Sequence, residues 1–422
     1  MLKNFASLTG AEVFSKLITF AAFAYLARLC GPAGFGYIEW AGTVLMCASL
    51  IVDQGFSAYG AREIAKSPLE TPRLVSEVVT ARFLLAGIGY ATIVAFVFWF
   101  VREQTISRLL LVYGLSLWAL PLLLQWVFQG HDRMHLVGII QMIRQTIFVL
   151  AVFAFVRGRS DLIWVGVAEV AGVSSASLVS VWVYRRYFGK GTSIPPAFSS
   201  KLFREGMPIG LSQMFWVIKM FGATFIVGMI ATAEDTGYFA GALRIYIALH
   251  TFVWLYYFNL LPSMSRAWEQ GAGQLAEMIR HSLRITATAS LVGGVIWITA
   301  SPFVMTTVYG SSFLPGSGVL KWLGGACIAA ALSGNYRYSL IAAGYQGKEL
   351  FATAIGSLIA VVLIPVGYVN AGINGAAAAL FVAECAVLAG AWLIARRNLF
   401  GRFDNGFAAN ESSLNTLPEA MQ

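Results

Sequence analysis

Ten ionisable residues sit where an apolar sequence would be expected to exclude them. Lys16, Arg144, Lys219, Arg244 and Arg337 lie well inside hydrophobic runs, as do Glu169 and Glu384, while Glu12, Glu39 and Asp53 lie nearer the ends of such runs. A charge at the centre of a membrane helix costs about 2.5–3.5 kcal/mol on insertion scales, so these groups must face protein or water rather than lipid. Two kinds of chemistry are open to them. Cations from several helices can line a water-filled cavity and accept an anionic headgroup, or each can be neutralised by a local carboxylate. Lys16 has both options, because Glu12 lies one helical turn before it in the favourable order for an ion pair. Lys219 and Arg244 have no acid within a helical turn, which favours the cavity. Arg337 has no acid in its own run either, but it lies closer to an end, from which a long side chain can snorkel.

The carboxylates divide in the same way. Glu169 and Glu384 serve either as ion-coupling groups that take up a proton or as structural partners for Arg144 and for backbone donors. His250, alone among aromatic residues, reads as a packed core residue rather than a coupling site. The aromatic cluster Phe252, Trp254, Tyr256, Tyr257 and Phe258 has two readings, a grip on a polyprenyl chain or sugars and an interfacial belt, and its place close to the interface favours the belt.

The elements that must position these charges are membrane helices. The chain of 422 residues is 58% hydrophobic and 12% charged, with a mean hydropathy of +0.72. Twelve spans are predicted, at about 6–28, 37–56, 79–101, 108–130, 137–156, 161–184, 206–230, 236–261, 285–308, 319–343, 350–369 and 374–395, each long enough to cross a 30 Å hydrocarbon core. Of the 29 Lys and Arg residues, 17 fall on the side that holds the N-terminus, against four (Arg102, Arg108, Arg157 and Arg159) in the opposite connections. Both termini are therefore expected in the cytoplasm, and the net charge of +9 reports membrane orientation rather than a nucleic-acid partner. The N-terminal apolar run, interrupted by Glu12 and Lys16, reads as an uncleaved first span.

Three places carry an internal repeat. The glycine-rich hairpin Gly31-Pro-Ala-Gly-Phe-Gly-Tyr37 returns as Asp235-Thr-Gly-Tyr238. The ends of spans four and ten match at Gly130 and Gly344. Val167-Ala-Glu-Val-Ala171 matches Val382-Ala-Glu-Cys-Ala386. Six spans per copy is an even number, so the copies are parallel repeats. The basic segment from Arg185 to Arg204, with Gly189, Gly191, Pro195 and Pro196, reads as the linker between a 1–190 lobe and a 191–400 lobe, and the polar 401–422 stretch as a disordered cytoplasmic tail.

The four cysteines have neither disulfide-framework nor metal-ligand spacing. No Walker loop, His-Glu-x-x-His or nucleophile elbow is present, and the extracytoplasmic connections are too short to build a catalytic face. Neither an enzyme nor a cofactor is expected.

Four stretches then carry a resemblance: Gly31 to Tyr37, Ala61-Arg-Glu63, Gln125-Trp-Val-Phe-Gln-Gly-His-Asp-Arg-Met134, and Gly372-Ile-Asn-Gly-Ala-Ala377. With these the chain resembles the polysaccharide repeat-unit flippases, the Wzx-type O-antigen translocases of the multidrug, oligosaccharidyl-lipid and polysaccharide exporter superfamily. The resemblance implies an all-α integral membrane fold of twelve transmembrane helices, in two parallel six-helix bundles forming a V around a central cavity. It implies a location in the bacterial inner membrane and an undecaprenyl-diphosphate-linked oligosaccharide as substrate, with a polysaccharide polymerase and a chain-length regulator as further partners. Lys16, Lys219, Arg244 and Arg337 are then the expected headgroup contacts, and Glu12, Glu169, Glu384 and Arg144 the expected coupling or pairing groups. The alternatives are a cation-coupled multidrug exporter of the same superfamily and, from a different class, a membrane polysaccharide polymerase or ligase.

Overall fold

The computed structural model describes residues 2–188 and 197–400; the side chains of residues 2–14, 212, 213, 215, 216, 219, 220 and 400 lie outside the described set. The 401–422 tail, the centre of the basic linker and the side chains of Glu12 and Lys219 therefore fall outside it. Every regular element among the described residues is helical. In chain order these are α1 (Leu2–Asp53), α2 (Phe56–Lys66), α3 (Thr71–Phe100), α4 (Gln104–Leu115), α5 (Gln125–Gly130), α6 (Met134–Phe155), α7 (Leu162–Phe188), α8 (Ser200–Ile230), α9 (Ala233–Gln270), α10 (Ala272–Tyr309), α11 (Ser317–Ala342) and α12 (Gln346–Ala395). Among the described residues nine helices are long and apolar enough to cross a membrane, and the protein is a multi-pass membrane protein.

Two of these helices are too long for one crossing. At 1.5 Å per residue α1 and α12 would each run about 75 Å, more than twice the hydrocarbon core. Both break at a glycine with positive φ: Gly31 (φ 69°) in α1 and Gly372 (φ 58°) in α12. The left-handed backbone that these positions need carries no steric cost without a Cβ. The chain turns back on itself at each break. Phe23 and Phe35 have ring centroids 6.4 Å apart, where a straight helix would separate them by about 18 Å. Across the second break, a Cβ at Gly375 would lie 1.9 Å from the Gly367 carbonyl oxygen, eight residues earlier.

The fourth predicted span, 108–130, is not one helix. α4 ends at Leu115, two short 3-10 turns follow at Ser116–Trp118 and Leu120–Leu122, and α5 begins at Gln125. Pro121 supplies the reason, since it has no N–H to continue the ladder and its ring crowds the preceding turn. Irregular backbone at membrane depth must be covered by protein. Here Ser116, Leu117 and Pro121 are buried, and the half-buried Ala119 carbonyl, which accepts from the Leu122 N–H at 3.1 Å, takes a second bond from Ser177 of α7 at 2.7 Å.

The chain forms two compact units. The first runs from the N-terminus to Gly237 and takes in Val308–Ser312; the second holds Tyr238–Thr307 and everything from Phe313 onward. This division falls after α8, whereas the basic linker would put α8 with the second lobe. In the first unit α1, α3, α4, α6 and α7 share one core, and α2, α3 and α5 to α8 share another. Val308–Ser312 is held there by Arg28, whose Nε donates to the Val308 carbonyl at 3.0 Å, and by Tyr309 against Phe35. In the second unit α9 to α12 pack around Met264, Leu275, Leu340 and Leu399.

Glycines set the contact of α8 and the start of α9 with the second arm of α1. A Cβ at Gly36 would fall 1.9 Å from the Ala233 carbonyl oxygen, and one at Gly237 1.9 Å from that of Pro32. One turn further along, Trp40 lies over Gly228 and its Nε1 donates to the Phe225 carbonyl at 3.2 Å. At the other end Gly55 meets Gly210 backbone to backbone. Backbones this close admit no side chain. Gly36→Ala and Gly237→Ala should each cost about 1–3 kcal/mol through overpacking. Gly42→Ala, on the same arm with nothing within 4 Å of its Cβ position, should be neutral or mildly stabilising. The check is the temperature at which half of the detergent-solubilised protein stays monodisperse; equal values for all three variants would refute the packing account.

Candidate functional site

The charges identified from sequence separate into those with a defined partner and those placed elsewhere. Arg144 on α6 donates from Nη2 to Glu169 Oε1 on α7 at 2.7 Å. The helices approach closely enough because Gly172 lies against the Arg144 carbonyl. On the adjoining turn of α6, Gln145 Oε1 accepts from Thr19 Oγ1 of α1 at 3.0 Å. This pairing is the structural role open to both residues.

Arg337 differs from its expectation as a cavity cation near a span end. Its Nη2 lies 2.6 Å, and its Nε 2.8 Å, from Glu349 Oε1, and Thr353 Oγ1 donates to the same oxygen at 2.9 Å. No acid occurs within its own span, as the sequence indicates. The carboxylate comes from the first turn of the next helix, brought to the same depth by the tight connection between α11 and α12.

Lys16 is exposed on the first arm of α1, in the first unit, and Arg244 is half-buried on α9, in the second. Lys219 lies on α8. Glu384 is half-buried on α12, within electrostatic range of Tyr246 on α9 and Cys327 on α11, and the Tyr246 ring is 5.7 Å from His250. Among the described residues, no group of three or more His, Cys, Asp or Glu gathers as for a metal ion.

Sequence reasoning missed the most buried cation among the described residues. Arg82 on α3 is 4% exposed and donates from Nη2 to both Asp53 Oδ1 and Ser57 Oγ, while Ser57 Oγ donates to Asp53 Oδ1 at 2.9 Å. A signal was present. Asp53 lies three residues before the predicted end of span two, and Arg82 three residues after the predicted start of span three, so both sit at one depth on one side.

The motif around Gln125–Met134 is a packing device. Trp126 and Phe128 are buried. A Cβ at Gly60 of α2 would meet the Trp126 ring at 2.4 Å, and one at Gly130 would lie 2.8 Å from the Ala61 carbonyl oxygen. Two of the four stretches that carry the resemblance, Ala61-Arg-Glu63 and the Trp-x-Phe-Gln-Gly run, are therefore one contact. Asp132 turns the chain with φ 56°, and His131 pairs with Thr71 Oγ1 at 3.0 Å. Burial first, and then Arg133, hold the His131 imidazole below its ordinary pKa. On the adjoining surface Glu63 accepts from Lys66 at 3.0 Å, the chief reason that its carboxyl is held below the usual range. Arg62 bridges Glu63 and Glu205 of α8, each at 2.9 Å. Exposed pairs of this kind contribute at most about 1 kcal/mol.

Comparison with known proteins adds three findings. A family model described as polysaccharide biosynthesis protein matches residues 1–268. Two curated relatives share the name "Putative O-antigen transporter". The one from Escherichia coli (strain K12) is 22% identical over 94% of this chain and 97% of its own length. The one from Shigella dysenteriae is 24% identical over 44% of this chain, a match that spans about half (47%) of that relative. Among solved structures, an inward-facing multidrug resistance MATE family transporter of the MOP superfamily superposes with a TM-score of 0.72 at 13% identity, covering 92% of this chain and 95% of its own. The lipid II flippase MurJ, in an inward closed conformation, superposes with a TM-score of 0.72 at 14% identity, covering 92% and 87%. These likenesses establish the fold.

The Arg82–Asp53 pair yields a prediction. Removing one partner of a buried ion pair costs about 3–5 kcal/mol, and the lower end applies here because the Asp53 side chain is a quarter exposed. Arg82→Gln alone and Asp53→Asn alone should each lower the thermal midpoint, and the double variant should recover most of the loss. A double variant no better than the worse single one would show that the two charges do not act as a pair.

Proposed function

Because the chain belongs to the polysaccharide biosynthesis protein family, we propose that it is a flippase for undecaprenyl-diphosphate-linked oligosaccharide repeat units. It would move them from the cytoplasmic to the periplasmic leaflet of the bacterial inner membrane, supplying O-antigen, capsule or exopolysaccharide synthesis and its polymerase and chain-length regulator. The observation that carries the reading is the near full-length match, on both sides, to the E. coli relative named as an O-antigen transporter. The protein is a transporter, not an enzyme.

The helix inventory supports the twelve-span plan. Counting the two arms of α1 and of α12 separately, and adding α8, brings the nine apolar helices to twelve crossings, with both termini in the cytoplasm. On this reading the repeats act as two six-helix lobes, 1–190 and 191–400, that rock between inward- and outward-open states. A ligand can drive such a cycle only through different affinities for the two states. Lys16, Lys219 and Arg244 supply charge-assisted contacts for a diphosphate that must leave water. Arg337, satisfied by Glu349, contributes field rather than contact.

The test is the sidedness of the lipid-linked intermediate. Cells lacking the protein should accumulate complete repeat units on the cytoplasmic face, closed to an external glycosidase. Units that reach the outer face but stay unpolymerised would overturn the flippase reading in favour of a polymerase or ligase. In the same assay Arg244→Ala, and Lys16→Ala with it, should cut export about tenfold, the loss of one charged contact of about 1.4 kcal/mol. Arg337→Ala should act chiefly through stability.

A further inference from the structure

One cavity in the second unit is unlike the charged positions considered so far. It is about 510 Å³ and lies between residues 249–257 of α9, 285–297 of α10 and 324–331 of α11, all inside membrane-spanning helices. Its lining is apolar and aromatic, with Phe252, Tyr256, Ile285 and Trp297 among the walls. From Thr286 to Trp297 it follows α10 for about 16 Å.

The two ends differ. Toward the Arg280 and Arg284 end of α10, the cytoplasmic side by charge count, the floor is a buried hydroxyl and amide network. There Tyr256 OH and Ser282 Oγ are 3.0 Å apart, Ser282 donates to Asn335 Oδ1 at 2.6 Å, and Asn335 Nδ2 donates to Thr286 Oγ1 at 2.9 Å. Toward mid-membrane the Trp297 Nε1 proton is spent on the Leu320 carbonyl at 2.8 Å, leaving its ring as an apolar wall. The site is therefore amphipathic along its length, polar only at the end nearest the cytoplasmic interface.

Gly293 marks the open part. Nothing lies within 4 Å of its Cβ position, whereas Cβ atoms at Gly294 and Gly324 would strike Ile328 and Trp297. The groove is thus open at Gly293 and closely walled at Gly294 and Gly324.

We propose that this groove seats the isoprenoid tail of the lipid carrier while its headgroup is still at the cytoplasmic interface. The proposal rests on the flippase reading for the identity of the substrate. Three features select this occupant. The apolar lining rejects sugars and phosphate, because polar groups placed there would go unsatisfied. The polar end orients an amphiphile with its head toward the cytoplasm. The opening at Gly293 and the aromatic walls suit a bulky branched, unsaturated chain better than a straight acyl chain. The aromatic residues of α9 then have a use beyond the interfacial belt: Phe252 and Tyr256 line the groove.

The test uses the purified full-length protein in liposomes with a photoreactive benzophenone-tailed polyprenyl diphosphate. Adducts should map to 249–257, 285–297 or 324–331 and be displaced by unlabelled polyprenyl diphosphate but not by dioleoyl phosphatidylglycerol. Gly293→Leu fills open space rather than clashing, so it should stay monodisperse while losing adduct and export about tenfold. Equal displacement by the phospholipid would make the groove a general acyl site and overturn the proposal, as would full adduct yield in Gly293→Leu. Failure of the flippase reading would look different. Tail binding would persist in the purified protein, but cells lacking the protein would not accumulate units on the cytoplasmic face.

Discussion

A bilayer offers no water to complete a hydrogen bond, and nearly every feature of this protein answers that constraint. Helices satisfy the backbone over most of the chain, and where a helix stops inside the membrane the structure finds a substitute. The break in the fourth span is the clearest case. Pro121 ends the ladder, 3-10 bonds from Leu122 N–H to the Ala119 carbonyl and from Leu123 N–H to that of Leu120 continue across it, and Ser177 on a neighbouring helix adds a second bond to Ala119. The same rule governs the charges. Arg82, Arg144 and Arg337 each meet a carboxylate from another helix. Buried pairs of this kind add little net stability against an apolar core, but breaking one is expensive, so they fix which helices lie side by side.

Within lipid, apolar surface gains little by leaving one apolar medium for another, and helices associate instead through close packing. That accounts for the use of glycine. Gly36 and Gly237, Gly228 under Trp40, and Gly55 with Gly210 bring α1 into contact with α8 and the start of α9 at successive levels. A single larger side chain at any level would push apart the levels beside it, since helices transmit displacement along their length.

Much of this was legible in the sequence, and the limit has a physical origin. Composition and run length gave the membrane helices, and Gly31-Pro32 gave the first reversal, because only glycine tolerates the backbone there. The i, i+4 rule is a rule about one helix, so it finds partners within a span and misses those between spans. Arg337 and Glu349 are 12 residues apart across a tight connection, and Asp53 and Arg82 are 29 residues apart. Both pairs become visible only when residues are compared by depth in the membrane rather than by distance along the chain. The Trp126 motif is a different case. It is one of the stretches that carry the resemblance, and Trp126 and Gly130 pack against α2, so a recognisable pattern here records a packing requirement. The groove on α9 to α11 was masked by its own composition, since aromatic residues in a span are expected at the interface whether or not they line a cavity.

The internal repeat gives these observations their last consequence. Glu169 and Glu384 occupy matching positions, but Arg144, the partner of the first, aligns with Leu358 or Ile359 in the second copy. In the second unit Arg337 pairs with Glu349, and Glu384 lies in range of Tyr246 and Cys327. The first unit carries two ion pairs between neighbouring helices, Asp53–Arg82 and Arg144–Glu169. The second combines an ion pair, a neutral network at Ser282 and Asn335, and an amphipathic groove. The two units thus satisfy their intramembrane polar groups by different means.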